Sequence, residues 1–397
     1  MAHVAVPIHA VMTPSVKLPG WYSDPLGMES LVARAIDRAV RSNAPASIQI
    51  DLKVALAESI MFQGRIQESR QLFLNILETC PEHESALWCE AILSFLNEDP
   101  WPGPWKKLES RWALNITGPR PCPADRIWDG SPLNGRSLTF AGEGGLGDQI
   151  QFIRFAPLLK AAGAGSITVS VHQSLIPLFS SAAAADHLTP AAVGYEPPGL
   201  VVPMLSAPSL LGTVLDTLPA SVPYLWLPDA ANLEAVQRLG PDRKKTFNVG
   251  LCWDSDQPHK ILSVDAFRPL LGLSGVRLFG LGEHSRIAQS CAALPMENLG
   301  SRSGDIIATA AAVEALDLVI SIDTMVAHLA GSLNMPVWTL LEALPDWRWS
   351  FRGETTPWYP SMRLFRCEGR NWETLIRRLA LKLAEAAHAG TSDGVCR

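Results

Sequence analysis

The chain has 397 residues, of which 47% are hydrophobic and only 18% charged, and its formal net charge is -6. This length and composition predict two or three globular domains with large cores. The acidic balance argues against nucleic acid as a main partner, and no uncharged apolar run is long enough for an integral membrane protein. The seven cysteines are scattered without a C-x-x-C pair, which favours reduced thiols, and no signal peptide is evident. We therefore expect a cytoplasmic protein.

Residues 1–115 are predicted to form a helical domain. Apolar residues recur at helical spacing from Met28 to Arg41 and from Asp51 to Phe62. The stretch from Phe62 to Pro81 resembles one tetratricopeptide repeat. Its matching positions are a glycine at the turn between helices, a small residue where helices approach closely, and two packed apolar residues: Gly64, Ser69, Phe73 and Leu77. Because such units need neighbours to bury their faces, we expect degenerate repeats beside it.

The rest of the chain predicts two blocks of alternating strands and helices. Residues from Trp101 to Ser131 are rich in Pro, Gly and Trp and are interpreted as a docking linker, with 116–131 separating the domains. The first block, 132–245, predicts strands near 137–141, 166–171, 200–204 and 222–227. The second block, 246–390, predicts strands at 247–253, 276–280, 316–321 and 336–341 and a final amphipathic helix at 372–387. Two such blocks imply two parallel-sheet domains facing across a cleft.

The most informative motif is the glycine-rich turn Gly142–Asp148, which follows the first predicted strand and opens a helix. In α/β proteins this order builds a binding crevice at the carboxyl end of a strand. The turn's Gly144, Gly145 and Gly147 would let the backbone approach a ligand closely, and the helix start supplies N–H groups. Asp148 stands at the mouth of the crevice, where a general base would be useful. A purely structural turn is the alternative.

The same turn also satisfies the dinucleotide fingerprint G-x-G-x-x-G, at Gly142, Gly144 and Gly147. That fingerprint requires an acidic residue about 20 positions later, at the end of the second strand. Here the second strand is followed by His172, and the first acid beyond the turn is Asp186. A nicotinamide enzyme is therefore disfavoured. An ATPase is also disfavoured, because no Lys-Ser/Thr pair follows the glycines.

A second motif follows the third strand of the second block. Thr324 is an N-cap candidate, and the N–H groups of Met325 and Val326 would then point at an incoming anion such as a nucleotide diphosphate. Asp323 would hold sugar or ribose hydroxyls, because its charge repels phosphate. His328 lies one helical turn beyond Thr324, on the same face.

A third motif places Lys260 in the loop after the strand that ends at Trp253. A lysine there can neutralise a diphosphate leaving group. Asp254-Ser-Asp256 is the only Asp-x-Asp match near the motifs and is interpreted as a loop, so no metal site is expected. Each of these residues could instead have a purely structural role. Lys260 would be a solvated surface charge, Asp323 would cap the helix, and His328 would be a helix residue whose ring nitrogens are hydrogen-bonded within the protein.

Together these motifs resemble the bacterial heptosyltransferase family of glycosyltransferases, which adopt the GT-B fold. The resemblance covers residues from about 132 to 390 and rests on Gly147-Asp148, His259-Lys260 and Ser321-Ile-Asp323-Thr324-x-x-Ala-His328. Proteins that fuse tetratricopeptide repeats to this module are also similar in three segments: Gly142–Arg154, Pro345–Trp349 and Pro357–Arg363.

The resemblance implies an α/β protein with two Rossmann-like parallel-sheet domains (GT-B), preceded by an all-α, tetratricopeptide-like domain. It makes Asp148 the catalytic base. The residues assigned to donor binding are Lys260, Asp323, Thr324, Met325, Val326, His328 and Trp253. Candidate acceptor-side residues come from the glycine motif and its helix: Glu143, Gln151 and Arg154.

The implied function is inverting, metal-independent transfer of heptose or a similar sugar from a nucleotide-diphosphate sugar to a protein or glycan hydroxyl. ADP-heptose is the favoured donor, and no cofactor is expected beside it. The helical repeats would recruit the acceptor or act as a structural brace. Two other classes stay open: a non-catalytic repeat scaffold with a vestigial sugar-nucleotide-binding fold, and a sugar-nucleotide epimerase.

Overall fold

The computed structural model describes the chain over the ranges 24–182, 185–191, 197–228, 231, 233–257, 260–282, 291, 294, 296–300, 304–369 and 371–392. These residues form two compact units. The first comprises the described residues up to Arg120 together with Gly212–Val214 and Leu344–Phe351. The second comprises Pro121–Leu211, Leu215–Ala343 and the described residues from Arg352 onward.

The first unit is helical, as predicted. Its longer helices are α1 (Pro25–Arg41), α2 (Ala46–Phe62), α3 (Ile66–Thr79) and α4 (Glu84–Leu96). Gly64 turns the chain between α2 and α3 with a φ of +77°. Ser69 is buried, and its hydroxyl donates to Ala57 O at 2.7 Å, which lets α2 and α3 approach closely. Phe73 is fully buried. The helical hairpin is confirmed, whereas its assignment to the tetratricopeptide class stays a prediction.

The segment interpreted as a docking linker is folded. Helices α5 (Gly103–Lys107) and α6 (Arg111–Leu114) continue the helical unit. Trp105 is fully buried, and its ring centroid lies 4.6 Å from that of Phe95. Further along, within the second unit, the Trp128 N–H donates to Val201 O at 2.9 Å, so Trp128 packs on the first sheet of that unit. Burial of the tryptophans explains why the Trp-rich composition marks packed structure here.

The first sheet of the second unit is parallel and, as far as the structure describes it, four-stranded in the order β3-β2-β1-β4. Its strands are β1 (Leu138–Ala141), β2 (Ile167–Val171), β3 (His187–Pro190) and β4 (Leu200–Pro203). Leu138 pairs with Ile167 on one side and with Leu200 on the other. Every residue of β1 is buried, as expected for a central strand covered on both faces.

The second sheet is also parallel and has six strands among the described residues, in the order β10-β9-β8-β5-β6-β7. They are β5 (Phe247–Cys252), β6 (Val276–Gly280), β7 (Glu297–Asn298), β8 (Leu318–Ile322), β9 (Val337–Leu341) and β10 (Met362–Arg366). Their buried aliphatic side chains join one core with the C-terminal helix, which contributes Leu375, Ile376, Leu379 and Leu383. Two parallel-sheet α/β domains are therefore confirmed.

Helices cover both sheets of the second unit. They are α7 (Leu146–Phe152), α8 (Ala156–Ala161), α9 (Ile176–Phe179), α10 (Ala207–Leu210), α11 (Leu233–Leu239), α12 (Ile306–Ala315), α13 (Met325–Ser332) and α14 (Trp372–Ser392). None of the helices in the described ranges combines the length and the apolar character needed to cross a membrane.

The predicted strand near 222–227 is wrong. Pro223 has no N–H, and the Tyr224 N–H donates to Ser332 O at 3.1 Å rather than to a strand neighbour. Within the part of the chain that the structure describes, three strands were not predicted from the sequence. Two of them, β3 and β7, are short edge strands with exposed or half-buried residues, so they lack an apolar signal. The third, β10, was missed because the segment before it has the composition of a loop.

In both sheets the strand order reverses direction at one strand, and the predicted motifs lie in loops next to that reversal point. In the first sheet β2 and β3 lie on one side of β1 and β4 on the other. In the second, β6 and β7 lie on one side of β5 and β8 to β10 on the other. Loops diverge at such points, and ligands of α/β proteins bind in the crevice at the carboxyl ends. The loops after β1, β5 and β8 carry Gly142–Asp148, Lys260 and Asp323–Thr324, respectively.

Candidate active site

The glycine turn after β1 holds the Asp148 carboxylate in one orientation. The Gly142 N–H donates to Ser170 O on β2 at 2.7 Å. Gly144 has a φ of +68°, and a Cβ there would lie 2.4 Å from Asp148 Oδ2, so glycine is required. Gly145 is the N-cap of α7, and its N–H donates to Asp148 Oδ2 at 2.7 Å. The turn therefore orients the predicted base, which is partly exposed.

Two buried side chains tie this turn to the neighbouring strand ends. Oε1 of Glu143 accepts from the Leu205 N–H, after β4, at 2.7 Å. Oε1 of Gln149 accepts from the His172 N–H, after β2, at 2.9 Å. The loops after β1, β2 and β4 are thereby held together at one edge of the sheet. Glu143, a candidate acceptor-side residue, braces that edge from the protein interior.

The other two candidate acceptor-side residues, Gln151 and Arg154, are also buried. Arg154 donates from Nε to Gln151 O at 2.9 Å, from Nη1 to Trp358 O at 2.7 Å and from Nη2 to the Tyr224 hydroxyl at 2.9 Å. Its guanidinium carbon lies 4.3 Å from the Tyr224 ring centroid and 4.6 Å from that of Tyr359. Burial and these partners give Arg154 contacts inside the second unit, and its assignment to the acceptor side stays a prediction.

Lys260 and Asp323 form an ion pair across the reversal point of the second sheet. Lys260 Nζ lies 2.7 Å from Asp323 Oδ2, and the two side chains are 23% and 12% exposed. The sequence assigns the two residues to different parts of a donor, whereas the structure shows that each also positions the other. His259, which precedes Lys260 in the motif, lies outside the described residues.

Thr324 is the N-cap of α13, the helix that follows β8. Its backbone is extended, and its side chain makes no capping hydrogen bond. The N–H groups of Met325 and Val326 have no carbonyl acceptor within the helix itself, whereas the Ala327 N–H donates to Thr324 O at 3.0 Å. The helix dipole and these donors together favour an anion at this point. The start of α13 therefore carries N–H donors suited to an anion, and it directly follows Asp323, which pairs with Lys260.

The starts of helices α7 and α13 lie against each other. A Cβ on Gly147 would lie 2.8 Å from His328 Cδ2 and 3.4 Å from Met325 Cα. Glycine at 147 therefore permits the close approach of the two helices. Because Asp148 directly follows this contact and Thr324 directly precedes Met325, the two motifs meet at one place, although they belong to different sheets.

Two tyrosines that the sequence did not single out, the buried Tyr359 and the half-buried Tyr224, lie beside this contact. His328 is buried, and its Nδ1 lies 2.9 Å from the Tyr359 hydroxyl. The Tyr359 and Tyr224 hydroxyl oxygens are 3.5 Å apart, and the Tyr224 hydroxyl donates to Ile150 O at 3.0 Å. The signal for Tyr359 was present in the segment Pro357–Arg363, which carries part of the family resemblance.

Trp253, assigned to donor binding, has its ring in the core of the second sheet. It is 3% exposed, and its ring centroid lies 6.2 Å from that of Phe267. Burial also raises the pKa of the neighbouring Cys252 thiol to about 12, which keeps it protonated. Within the described ranges, no group of three or more His, Cys, Asp or Glu is arranged to hold a metal ion. Metal independence stays a prediction.

Comparison with known proteins supports the fold. No protein-family model matches the chain. Protein FlbA of Caulobacter vibrioides is 28% identical over 325 residues, which are 71% of this chain and 52% of FlbA, so the chain spans about half of that relative.

One solved structure gives the same architecture, and a second is more distantly similar. The glycosyl transferase family 9 structure from Veillonella parvula DSM 2008 covers 67% of this chain and 100% of its own, with a TM-score of 0.50 and 13% identity. The E. coli ADP-heptose lps heptosyltransferase II structure covers 63% of this chain and 100% of its own, with a TM-score of 0.46 and 15% identity. The second unit thus has the two-sheet fold seen in the Veillonella glycosyl transferase family 9 protein.

Proposed function

We propose that the chain is an inverting glycosyltransferase that uses a nucleotide-diphosphate sugar and requires neither a metal nor another cofactor. The observation that carries the proposal is the contact between the helix starts at Gly147 and Met325. It brings a candidate base from the first sheet to the anion-binding helix start of the second. A transferase needs these two elements on opposite sides of one reacting carbon.

The donor diphosphate would lie at the start of α13, where the N–H groups of Met325 and Val326 and the Lys260 ammonium supply positive charge. Asp323 holds the lysine in place at 2.7 Å before the donor arrives. A second Asp323 role, toward sugar or ribose hydroxyls, is compatible with this position. The resemblance of the motifs favours ADP-heptose over other nucleotide sugars.

In the proposed reaction, an acceptor hydroxyl oxygen attacks the anomeric carbon from the Asp148 side. The new C–O bond forms as the bond between the anomeric carbon and the diphosphate oxygen breaks, which inverts the configuration. Asp148 takes the hydroxyl proton, and the diphosphate leaves with the bonding electron pair. Lys260 and the helix N–H groups stabilise the negative charge that develops on the leaving group.

The acceptor is proposed to be a protein or glycan hydroxyl that the helical unit recruits. Stacked helical pairs form extended surfaces that suit a polymer better than a single sugar. A non-catalytic scaffold with a vestigial nucleotide-sugar fold is the competing function, and donor binding separates it from the enzyme.

The experiment combines a ligand screen with one matched pair of variants. A thermal-shift screen against ADP-, GDP-, UDP- and CMP-sugars should identify the donor by a raised melting temperature. Asp148→Asn should then keep donor affinity but slow transfer about 10²–10⁴-fold, the range for loss of a general base. The asparagine Oδ1 can still accept from the Gly145 N–H, so the turn is preserved. Asp216→Asn, at an exposed position, is the control and should transfer at the wild-type rate.

Two results would count against the proposal. No stabilisation by any nucleotide sugar would favour the scaffold. Donor binding with near wild-type transfer by Asp148→Asn would remove Asp148 from the mechanism.

A further inference from the structure

A chain of hydrogen bonds connects helix α13 of the second sheet to helix α7 of the first. It runs from His328 Nδ1 to the Tyr359 hydroxyl at 2.9 Å, then to the Tyr224 hydroxyl at 3.5 Å and to Ile150 O at 3.0 Å. Arg154 Nη2 donates to the Tyr224 oxygen at 2.9 Å. We call the residues His328, Tyr359, Tyr224 and Arg154 the seam.

The donors and acceptors of these four contacts imply one arrangement of their protons. Ile150 O can only accept, so the Tyr224 proton points to it, and the Tyr224 oxygen accepts from the Arg154 guanidinium. A proton between the two phenols must therefore come from Tyr359. If Tyr359 donates to Tyr224, its oxygen accepts from His328 Nδ1–H. This arrangement places one proton on each of the described contacts and favours the Nδ1–H tautomer of His328.

Two glycines on opposite sides keep the seam in place. A Cβ on Gly331 would lie 2.4 Å from Tyr359 Cδ1, so the phenol ring packs directly on the α13 backbone. On the other side, a Cβ on Gly147 would lie 2.8 Å from His328 Cδ2. Tyr359 is fully buried. The imidazole of His328 is therefore held between the Tyr359 hydroxyl and the start of the helix that carries Asp148.

We propose that Tyr359 is a positioning residue that fixes the ring and tautomer of His328 and so holds the donor helix α13 in register with the base helix α7. Its catalytic consequence rests on the proposed glycosyltransferase function, whereas its effect on His328 does not. Removing the Tyr359 hydroxyl changes neither the two helices nor any residue proposed to contact the donor. It removes the link that aligns the attacking and leaving groups across the seam.

The test is Tyr359→Phe in the full-length protein, with two readouts. Nitrogen-15 spectra of the histidine rings, assigned with His328→Gln, should show the Nδ1–H tautomer in the wild type and a shift toward the Nε2–H form in the variant. The turnover number kcat should fall about 10–100-fold while the donor KM changes less than about 2-fold, because misalignment slows the chemical step more than it weakens binding.

Two further variants sharpen the result. Tyr224→Phe removes the acceptor for the Tyr359 proton, so that proton should turn to His328 Nδ1 and give the Nε2–H form as well. Ser332→Ala is the matched control, because it deletes a buried hydroxyl on α13 that donates to Leu329 O outside the seam. It should change neither the tautomer nor the ratio of kcat to KM.

Each outcome of these measurements either supports or overturns the role proposed for Tyr359. An unchanged His328 spectrum in both tyrosine variants would overturn the proposal, as would a Tyr359→Phe protein with wild-type kcat. If Tyr359→Phe does not fold, Tyr224→Phe alone tests the proton arrangement. If the wild type binds no nucleotide sugar, the proposed function fails, and the spectra still decide whether Tyr359 fixes His328.

Discussion

Burial of Glu58 predicts that the helical unit loses stability as the pH rises. Glu58 is buried in α2, and Oε1 lies 3.8 Å from Cys89 Sγ. Its Oε2 has no hydrogen-bond partner among the described residues. Glu90, also buried, differs because Arg70 and Lys107 form ion pairs with it. Without a cation, burial raises the pKa of Glu58 to about 8.

The sign of the effect follows from where the proton binds more tightly. The folded chain holds the Glu58 proton up to about pH 8, whereas the unfolded chain releases it near the ordinary pKa of 4.5. The stabilising contribution is therefore complete below pH 4.5 and is lost as the pH rises from there through about 8. The shift in pKa corresponds to a total loss of ~5 kcal/mol in the free energy of unfolding.

Glu58→Gln tests this reasoning, because the amide is neutral at every pH. Hydrogen exchange with mass spectrometry measures the free energy of opening of α2 in both proteins. Between about pH 5.5 and about pH 7.5, the wild type should lose ~3 kcal/mol of this free energy relative to the variant. Glu84→Gln, at an exposed position on α4, is the control and should follow the wild-type pH profile. A difference between Glu58→Gln and wild type that stays constant with pH would refute a neutral, buried Glu58.

Three further predictions concern the candidate site and the helical unit. Lys260→Ala and Asp323→Ala should each weaken ADP binding in calorimetry. Because the two residues form one ion pair, the loss of binding free energy in the double variant should be ~1–2 kcal/mol smaller than the sum of the two single losses. Additive losses would contradict the coupling. Gly147→Ala should lower the free energy of unfolding by ~1–3 kcal/mol, because its Cβ would crowd helix α13; an unchanged urea midpoint would show that the helices can separate without cost. A fragment starting at Arg126 should aggregate, because the Trp347 ring loses aromatic partners whose centroids lie 4.8 and 5.4 Å away. The helical unit would then brace the fold in addition to recruiting the acceptor, and a monodisperse fragment in size-exclusion chromatography would show that it is not needed as a brace.

The sequence by itself determined the features that depend only on residues close to one another along the chain. Buried parallel strands such as β1 and β5 read as short apolar runs, because both faces are covered. The glycines of the Gly142–Asp148 turn and the start of α13 at Thr324 were visible because turn and helix-start chemistry is local. The right-handed βαβ rule then sufficed to predict two parallel sheets with the motif loops at their carboxyl ends.

Only the tertiary structure decided how these motifs meet. Lys260 and Asp323 are 63 positions apart, and Arg154 and Trp358 are 204 apart, so no local pattern reveals that they are partners. The direction of a long polar side chain depends on what packs around it, which is why Arg154 lies inside the protein. Gly147 likewise reads as a ligand glycine in sequence, whereas its contact with α13 arises only when the two sheets pack together.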